Sequence, residues 1–407
     1  MGRYFMRAYE RFLKYVSVHT KSDEESGTHP SSARQFELAN ILVGELKEMG
    51  IEAFCDEKCY VYATVPASEG CEDEPTIGFI AHLDTSPDFC GENVKPRIIN
   101  DYDGKDVELG EGRRLCVADF PHLPTLRGRT LITTDGTTLL GADDKAGVAE
   151  IMTLAEQLMQ GDIPHGKIMI AFTPDEEIGE GADNFDVAGF GADFAYTADG
   201  DAEGGIEYEN FNAAGAKFDI VGKNIHPGSA KGRMLNASLV AFEINSMLPT
   251  AETPANTEGY EGFFHLTDIE GCVEGATLKY IIRDHSAERF AARCEMLRFI
   301  EKHINEKYGE GTVTLTLREQ YRNMEEKIRP NFFVVERAIA AVKKAGIEPK
   351  ISPVRGGTDG ARLSFEGLPC PNLGTGGYAF HGPYEHITVE GMDKAVEILI
   401  NIARVQK

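Results

Sequence analysis

The 407-residue sequence has no C-x-x-C pair, and its eight cysteines lack any spacing typical of a disulfide framework. We therefore expect all eight to be reduced thiols, as in a reducing compartment. Basic residues are also scarce, because 41 Lys and Arg stand against 66 Asp and Glu, for a formal net charge of -25. Such a surface repels phosphate backbones, so we expect no nucleic-acid partner.

Long apolar runs are missing as well. No apolar stretch approaches the roughly 20 residues that a membrane-spanning helix requires. The N-terminal segment MGRYFMRAYERFLKYV carries charges throughout, unlike a signal peptide. We expect a soluble, cytoplasmic protein with no membrane partner. Hydrophobic residues make up 42%, which is enough for a globular core, and the length favours two domains.

Helical and extended patterns alternate in the first half of the chain. A helix is predicted over 3–17, and a second begins after Ser32, where Ser32 and Gln35 fit a capping box. Strands that alternate with helices predict an α/β fold with a mixed, mostly parallel sheet sandwiched by helices. The predicted strands are 60–65, 76–81, 167–173 and 194–197, with a helix at 146–159.

The pattern changes near residue 210. From there, the order of predicted elements is β-α-β-β-α-β, which is typical of a ferredoxin-like domain. After about residue 324 the first pattern returns, with helices at 331–344 and 389–405. The sequence thus predicts a catalytic domain formed by residues 1–209 and 324–407, with residues 210–323 inserted between its two parts. The strands predicted in the insert are 214–222, 262–269, 276–283 and 312–318, and its helices are 233–247 and 286–306.

Polar side chains recur where the predicted strands end. His82 and Asp84 follow strand 76–81, at the edge where open α/β sheets bind ligands. If His82 binds a metal, Asp84 is placed to accept the proton of its other ring nitrogen and fix the tautomer. A His and an Asp at a strand end are also common in ordinary turns, so this motif alone leaves both interpretations open.

Two acidic motifs lie beside predicted helix starts. In Leu140-Gly-Ala-Asp-Asp-Lys-Ala-Gly147, Asp143 or Asp144 can cap the helix, or one Asp can bridge two metals with its two oxygens. In Phe172-Thr-Pro-Asp-Glu-Glu-Ile-Gly179, the acids can simply stabilise a helix dipole. Alternatively, one glutamate binds metal and its neighbour takes a proton from the water that the metal activates.

An acid in Tyr196-Thr-Ala-Asp-Gly200 and a histidine in the Gly-rich loop after Tyr378 complete the set. Each has an ordinary explanation by itself, as a turn aspartate or an exposed loop histidine. Together, two histidines and three carboxylates at strand ends or adjoining loops can hold two zinc ions, with one Asp shared. Manganese or cobalt would suit the same ligands. The predicted ligands are His82, Asp143, Glu177, Asp199 and His381.

Eight segments between residue 80 and the C-terminal helix stand out together: AHLDTS, LLGADDKAG, FTPDEEIG, YTADGD, VGKNIHPGSAKG, TEGYEGFFHL, RGGTDGARLS and GTGGYAFHG. In this order they resemble the peptidase T family of tripeptide aminopeptidases. This family belongs to the aminoacylase/carboxypeptidase G2-like zinc metallopeptidase clan. The resemblance implies a phosphorylase/hydrolase-like catalytic domain, a lid formed by the insert, short peptides as substrates and a possible homodimer.

The resemblance also implies a role for each metal ligand and for two nearby acids. His82 and Asp199 would bind one zinc, Glu177 and His381 the other, and Asp143 would bridge them. The remaining two residues are Glu176, as the general base, and Asp84, as the carboxylate that orients His82.

Four further residues would contact the substrate by the same resemblance. His226 would polarise the scissile carbonyl, while Arg283 and Arg355 would hold the C-terminal carboxylate and Asn236 would reach the peptide. The chain departs from the family after His381, where it reads Gly-Pro-Tyr-Glu-His instead of placing a second His before the Glu and an aromatic after it. This change leaves the ligand intact and concerns substrate selection around Tyr384 and His386.

Two alternatives stay open. A dipeptidase, carboxypeptidase or N-acyl amino acid deacylase of the same clan would carry the same ligands. A catalytically silent protein that binds peptide or zinc could share the fold, since fold alone does not prove activity. The presence of all five ligands and of Glu176 favours an enzyme.

Overall fold

The computed structural model describes residues 6–405. Part of the helix predicted at 3–17 therefore lies outside the described residues, and the described helix begins at Ala8. None of the described helices combines the length and the apolarity needed to cross a membrane. The helices are α1 (Ala8–Tyr15), α2 (Gln35–Glu48), α3 (Ala142–Gln160), α4 (Val187–Phe190), α5 (Ala237–Ser246), α6 (Ala287–Tyr308), α7 (Glu325–Ile328), α8 (Phe333–Lys344), α9 (Asp359–Phe365) and α10 (Val389–Ala403).

The strands are mostly short, and they form three larger sheets and one hairpin. In chain order they are β1 (Glu52–Cys55), β2 (Val61–Val65), β3 (Ile77–His82), β4 (Arg97–Ile99), β5 (Val107–Gly110), β6 (Arg113–Leu115), β7 (Leu131–Thr133), β8 (Ile168–Thr173), β9 (Phe194–Gly200), β10 (Gly205–Glu207), β11 (Asn212–Val221), β12 (Phe263–Gly271), β13 (Gly275–Asp284), β14 (Val313–Tyr321), β15 (Lys350–Ile351), β16 (Asn372–Gly374), β17 (Gly377–Tyr378) and β18 (His386–Thr388).

Contacts divide the chain into two compact units. The first contains residues up to Tyr208, Glu326–Ser352 and the residues from Thr358 onward, and the second contains Glu209–Glu325 with Pro353–Gly357. The sequence prediction assigned residues 353–357 to the catalytic domain. The structure groups them with the second unit because the Val354 N–H donates to the Glu209 carbonyl at 2.8 Å.

An eight-stranded sheet forms the centre of the first unit, in the order β1-β2-β8-β3-β9-β16-β10-β15. Its middle strands β8, β3, β9 and β16 run parallel, whereas β1, β2 and β10 add antiparallel pairs. This arrangement confirms the predicted mixed, mostly parallel sheet. Because the carboxyl ends of parallel strands meet at one edge, the segments after β3, β8 and β9 come together there.

Strands β3 and β8 are buried along their whole length and apolar up to their last residues, His82 and Thr173, as expected for parallel strands covered on both faces. On one face, Ile80 and Ala195 pack with Phe190 and Leu363 in a buried apolar cluster. The helix α3 packs on β3 and β9. The rigid layers therefore fix the position of every side chain that emerges at the carboxyl edge.

The second unit has the order β11-α5-β12-β13-α6-β14, and its antiparallel sheet runs β12-β13-β11-β14. Alternate residues of β13 are buried, which gives the sheet one apolar face. Helices α5 and α6 pack on the sheet, and Phe218, Leu278 and Leu297 lie in the buried cluster of this unit.

The predicted capping box at the start of α2 is wrong. The N-cap position is Arg34, which makes no side-chain cap hydrogen bond. The Gln35 amide does not return to the backbone of its own helix but hydrogen-bonds Asp175, far along the chain. A tertiary partner has replaced the local cap.

Gly147 allows α3 to approach β9 closely. A Cβ atom added at Gly147 would lie 1.9 Å from the Ala198 carbonyl oxygen, which is far inside van der Waals contact. The start of α3 and the end of β9 can therefore lie side by side only if residue 147 has no side chain.

Gly147→Ala should destabilise the protein by about 1–3 kcal/mol, because the added methyl group forces α3 away from β9. Gly44→Ala is the matched control, since Gly44 is exposed in α2 and an added Cβ there meets no atom within 4 Å. That change should raise the free energy of unfolding by about 0.5–1 kcal/mol. Urea unfolding of both variants measures the difference, and equal effects would contradict the close packing.

Candidate metal centre

Five side chains meet at the carboxyl edge of the central sheet and form two candidate metal-binding groups. One consists of His82, Asp143 and Asp199, and the other of Asp143, Glu177 and His381. Within each group, the potential ligand atoms all lie within 4.8 Å of one another. The structure thus brings together the five residues that the sequence analysis selected, and Asp143 is common to both groups.

Asp143 divides its two carboxylate oxygens between two histidines. Its Oδ1 lies 2.8 Å from Nε2 of His82, and its Oδ2 lies 3.1 Å from Nε2 of His381. His82 Nε2 is also 3.5 Å from Asp199 Oδ1, and His381 Nε2 is 2.9 Å from Glu177 Oε2. Each imidazole therefore faces the shared carboxylate and one carboxylate of its own.

The neighbouring Asp144 caps the helix α3. Its Oδ1 accepts the Gly147 N–H at 3.2 Å, and its Oδ2 accepts the His82 N–H at 3.1 Å. The backbone of Asp143 and Asp144 is not helical, and the peptide bond between them is cis. Capping therefore falls to Asp144, and Asp143, whose carboxylate faces the rings of both histidines, is the candidate for metal binding.

Glu385 anchors the segment that presents Asp143, and the sequence analysis did not select it. Its buried carboxylate accepts the backbone N–H groups of Leu140 at 2.6 Å, Gly141 at 2.8 Å and Asp143 at 3.0 Å. Burial raises the pKa of Glu385 to about 7 despite these three hydrogen bonds. The only available signal was its position four residues after His381, in the segment that departs from the family pattern.

Asp84 is fully buried and connects two parts of the centre. Nδ1 of His82 faces the Asp84 backbone carbonyl at 3.1 Å and the Asp84 Oδ1 at 3.2 Å, on the side of the ring opposite Asp143. The Asp84 carboxylate also accepts the backbone N–H groups of Glu176 at 3.0 Å and Glu177 at 3.2 Å. One residue therefore orients the histidine and also holds the turn that carries both glutamates.

The electrostatics of the centre suit cations. Burial raises the pKa of Glu177 to about 8, with the charge of Asp143 acting in the same direction, and burial raises that of Asp199 to about 6. Hydrogen bonds with Asp143 and Glu177 raise the pKa of His381 to about 11. Carboxylates crowded out of water in this way are stabilised by nearby positive charge.

The donor set also fits divalent metals. Two imidazole nitrogens and three carboxylates are ligands that zinc accepts. Within the part of the chain that the structure describes, the buried Glu177 Oε1 has no hydrogen-bond partner. A buried oxygen of this kind is costly unless something else binds it, and a cation would do so.

Four other predicted site residues lie in the second unit. His226 is exposed, and its Nδ1 accepts the Gly228 N–H at 3.2 Å, so the neutral ring carries its proton on Nε2. Asn236 caps α5, with Oδ1 accepting the N–H groups of Ser238 and Leu239.

The two arginines are already engaged inside the second unit. Arg283 donates to the Ala214 and Ile282 carbonyls and lies over the ring of Tyr321. Arg355 donates through one terminal nitrogen to the Gly259 and Glu261 carbonyls and through the other to Thr257. Both terminal nitrogens of Arg355 thus hold the segment 257–261, and the predicted grip on a substrate carboxylate stays a prediction.

A pair of histidines supports the loop that carries His381. Nε2 of His122 lies 2.8 Å from Nε2 of His386, and their rings stack. Nδ1 of His386 donates to the Tyr384 carbonyl at 2.7 Å, so its Nε2 accepts from His122. Burial lowers the pKa of His386 to about 4, which keeps this ring neutral.

Comparison with known proteins agrees with this geometry. Residues 134–405 match the family described as Peptidase family M20/M25/M40. A peptidase T of Clostridium perfringens is 59% identical over 402 residues, which cover 98% of each chain. The chain belongs to the M20/M25/M40 peptidase family. A peptidase T of Caldanaerobacter subterraneus is 55% identical over 97% of each chain. The resemblance to the peptidase T family is thus confirmed.

Solved structures share the fold. The aminopeptidase PepT from Bacillus cereus has a TM-score of 0.75 at 24% identity, and a tripeptidase from Staphylococcus aureus has 0.77 at 21%, each covering 98% of this chain and 97% of the other. The YXEP protein of Bacillus subtilis, a dinuclear metal binding peptidase, has a TM-score of 0.64 at 17% identity over 97% of each chain. The α/β fold class predicted from the sequence is confirmed.

The free energy of unfolding should fall by about 3 kcal/mol between pH 6.5 and pH 4 through His386 alone. The unfolded chain binds a proton near pH 6.5, whereas burial holds the pKa of the folded ring at about 4, so acid favours unfolding. In His386→Asn this contribution is absent. Urea unfolding of both proteins with chelator present measures it, and a stability difference independent of pH would contradict the assignment.

Proposed function

We propose that the chain is a two-zinc aminopeptidase that removes the N-terminal residue from tripeptides. The observation that carries the proposal is the position of Asp143, whose two oxygens face two separate His/carboxylate groups. The 59% identity with a protein named peptidase T supports the substrate class, as does the fold shared with an aminopeptidase and a tripeptidase.

His82 and Asp199 would hold one metal ion, and Glu177 and His381 the other, with Asp143 shared. Zinc suits these nitrogen and oxygen donors, although manganese or cobalt would bind to the same ligands. When bound, such a pair of ions supplies a Lewis acid for the peptide carbonyl and makes water acidic enough to react near neutral pH.

Glu176 is the proposed general base. Its backbone N–H is held by Asp84, so its side chain leaves a fixed turn beside the ligand Glu177. Loss of contact with water and the charge of Asp199 raise the pKa of Glu176 well above its ordinary value, which makes it a stronger proton acceptor. Glu176 takes a proton from the attacking water and returns it to the leaving nitrogen of the peptide.

The residues of the second unit have proposed roles in substrate binding. With its proton on Nε2, His226 can donate a hydrogen bond to the oxygen that gains negative charge during attack. Asn236, Arg283 and Arg355 would contact the rest of the peptide. A bidentate Arg–carboxylate pair fixes the distance to the C-terminus and would explain a preference for one peptide length. We assign this pair to Arg283, which donates to carbonyl groups through one terminal nitrogen, because both terminal nitrogens of Arg355 hold the segment 257–261.

Among peptides of two, three and four residues in which every residue is different, the tripeptide should be digested fastest, with its N-terminal residue released as the free amino acid. Mass spectrometry identifies the products, with and without a chelator. An N-acetylated tripeptide is the control. Cleavage of N-acyl amino acids but not tripeptides would indicate a deacylase, and release of the C-terminal residue would indicate a carboxypeptidase.

Glu176→Gln should keep its metal but lose about 10²–10⁴-fold in turnover, because the amide cannot accept the proton. Metal analysis of the dialysed protein and steady-state kinetics on a tripeptide measure the two effects. Glu180→Gln, which changes an exposed acid four residues along, is the matched control. Turnover at the wild-type rate in Glu176→Gln would show that another group is the base.

A further inference from the structure

The turn that carries Glu176 and Glu177 is held on two sides. Asp84 binds the backbone N–H groups of both glutamates on one side. Asp175 precedes them, and it combines a left-handed backbone, with φ at +57°, and a fully buried carboxylate. This conformation is uncommon outside glycine, although aspartate adopts it more readily than most residues, and it persists where the surroundings stabilise it. The contacts of Asp175 therefore decide how the two glutamates leave strand β8.

Those contacts come from a distant segment, residues 31–35. The Gln35 amide nitrogen donates to Asp175 Oδ1 at 2.6 Å, and the Asp175 N–H donates to Gln35 Oε1 at 3.2 Å. The backbone N–H of Ser31 donates to Asp175 Oδ2 at 2.7 Å, and the Ser31 hydroxyl donates to Oδ1 at 2.5 Å. Gln35 thus fixes the main chain and the side chain of Asp175 together.

Gln35 is well suited to hold a fixed position. It is fully buried and is the first residue of α2, a helix that packs on β1 and β2. His29 Nδ1 also lies 3.3 Å from Asp175 Oδ2. Donors from Ser31 and Gln35 already occupy the Asp175 oxygens. His29 and Asp175 therefore stabilise the turn and are poorly suited to hold a further metal ion.

We propose that Gln35, supported by Ser31, is a positioning residue of the active site, and that it acts through Asp175 to direct Glu176 and Glu177. The inference rests on the proposed function, since it assumes that Glu177 binds metal and that Glu176 moves the proton. Loss of a residue that supports a metal ligand by hydrogen bonding typically costs about 10–100-fold in metal affinity or activity. Gln35 would support Glu177 in this way, through Asp175.

Gln35→Met keeps the length of the side chain and removes both hydrogen bonds. We expect zinc to bind about 10–100-fold more weakly, because Glu177 is no longer held in place. At saturating zinc, kcat should fall while KM for a tripeptide changes less, because Glu176 is misdirected but the substrate contacts remain. Competition with a chromogenic chelator measures zinc affinity of the metal-free protein without any turnover.

Three comparisons separate positioning from general stability. Leu42→Ala removes a buried side chain of the same helix, so it should lower the melting temperature but keep zinc affinity within twofold. Glu37→Gln changes an exposed residue of α2 and should alter neither. Gln35→Glu sets two carboxylates against each other, and adding Asp175→Asn restores a donor–acceptor pair of reversed polarity, which should recover zinc affinity.

Zinc affinity and kcat within twofold of wild type in Gln35→Met would overturn the proposal, as would equal losses in Leu42→Ala. If Gln35→Met does not fold, Ser31→Ala, which removes one hydrogen bond, is judged by the same two measurements. Failure of the proposed function looks different. In that case the wild-type protein would cleave no peptide, while the chelator competition would still compare the variants.

Discussion

The carboxylate of Asp143 lies between two imidazoles, and the rest of the centre is arranged around it. Each oxygen serves one histidine, so a displacement of this one side chain would disturb both groups together. Burial and the nearby negative charges also raise the pKa of the surrounding carboxyl groups, to about 8 for Glu177. The buried carboxylates of Asp84, Asp144 and Glu385 accept hydrogen bonds from the backbone around these groups and so hold them close together.

Much of this centre could be predicted because its candidate ligands follow local patterns. His82 and Asp199 end apolar strands, and Glu177 follows one, so parallel strands alone bring them to the same edge. His381 was recognisable only from its loop and from the family resemblance. The boundaries of most elements differ from prediction by a few residues, because strand ends depend on pairing that no single segment reveals.

The supporting residues could not be predicted, since their partners are far away in sequence. Glu385 binds a segment more than two hundred residues earlier, and Gln35 binds Asp175 in the same manner. Gln35 shows the limit clearly. Its spacing from Ser32 fits a local cap, yet the buried carboxylate of Asp175 is the partner that the folded chain provides. The arginines show a similar limit, because nothing in the sequence near Arg355 reveals that carbonyl groups of residues 257–261 occupy its donors.

The position of the Tyr378–His386 loop in the sequence has a consequence for how the centre forms during synthesis. It supplies a candidate ligand, His381, and also Glu385, the anchor of the segment around Asp143. Both lie more than 180 residues after Asp199, the candidate ligand that precedes them in the sequence. Strand β16 (Asn372–Gly374) lies between β9 and β10 in the central sheet. A nascent polypeptide on the ribosome can therefore pair β1, β2, β8, β3 and β9 early, but the sheet and the centre are completed together, and the proposed hydrolytic capacity would arise only once residue 385 is in place.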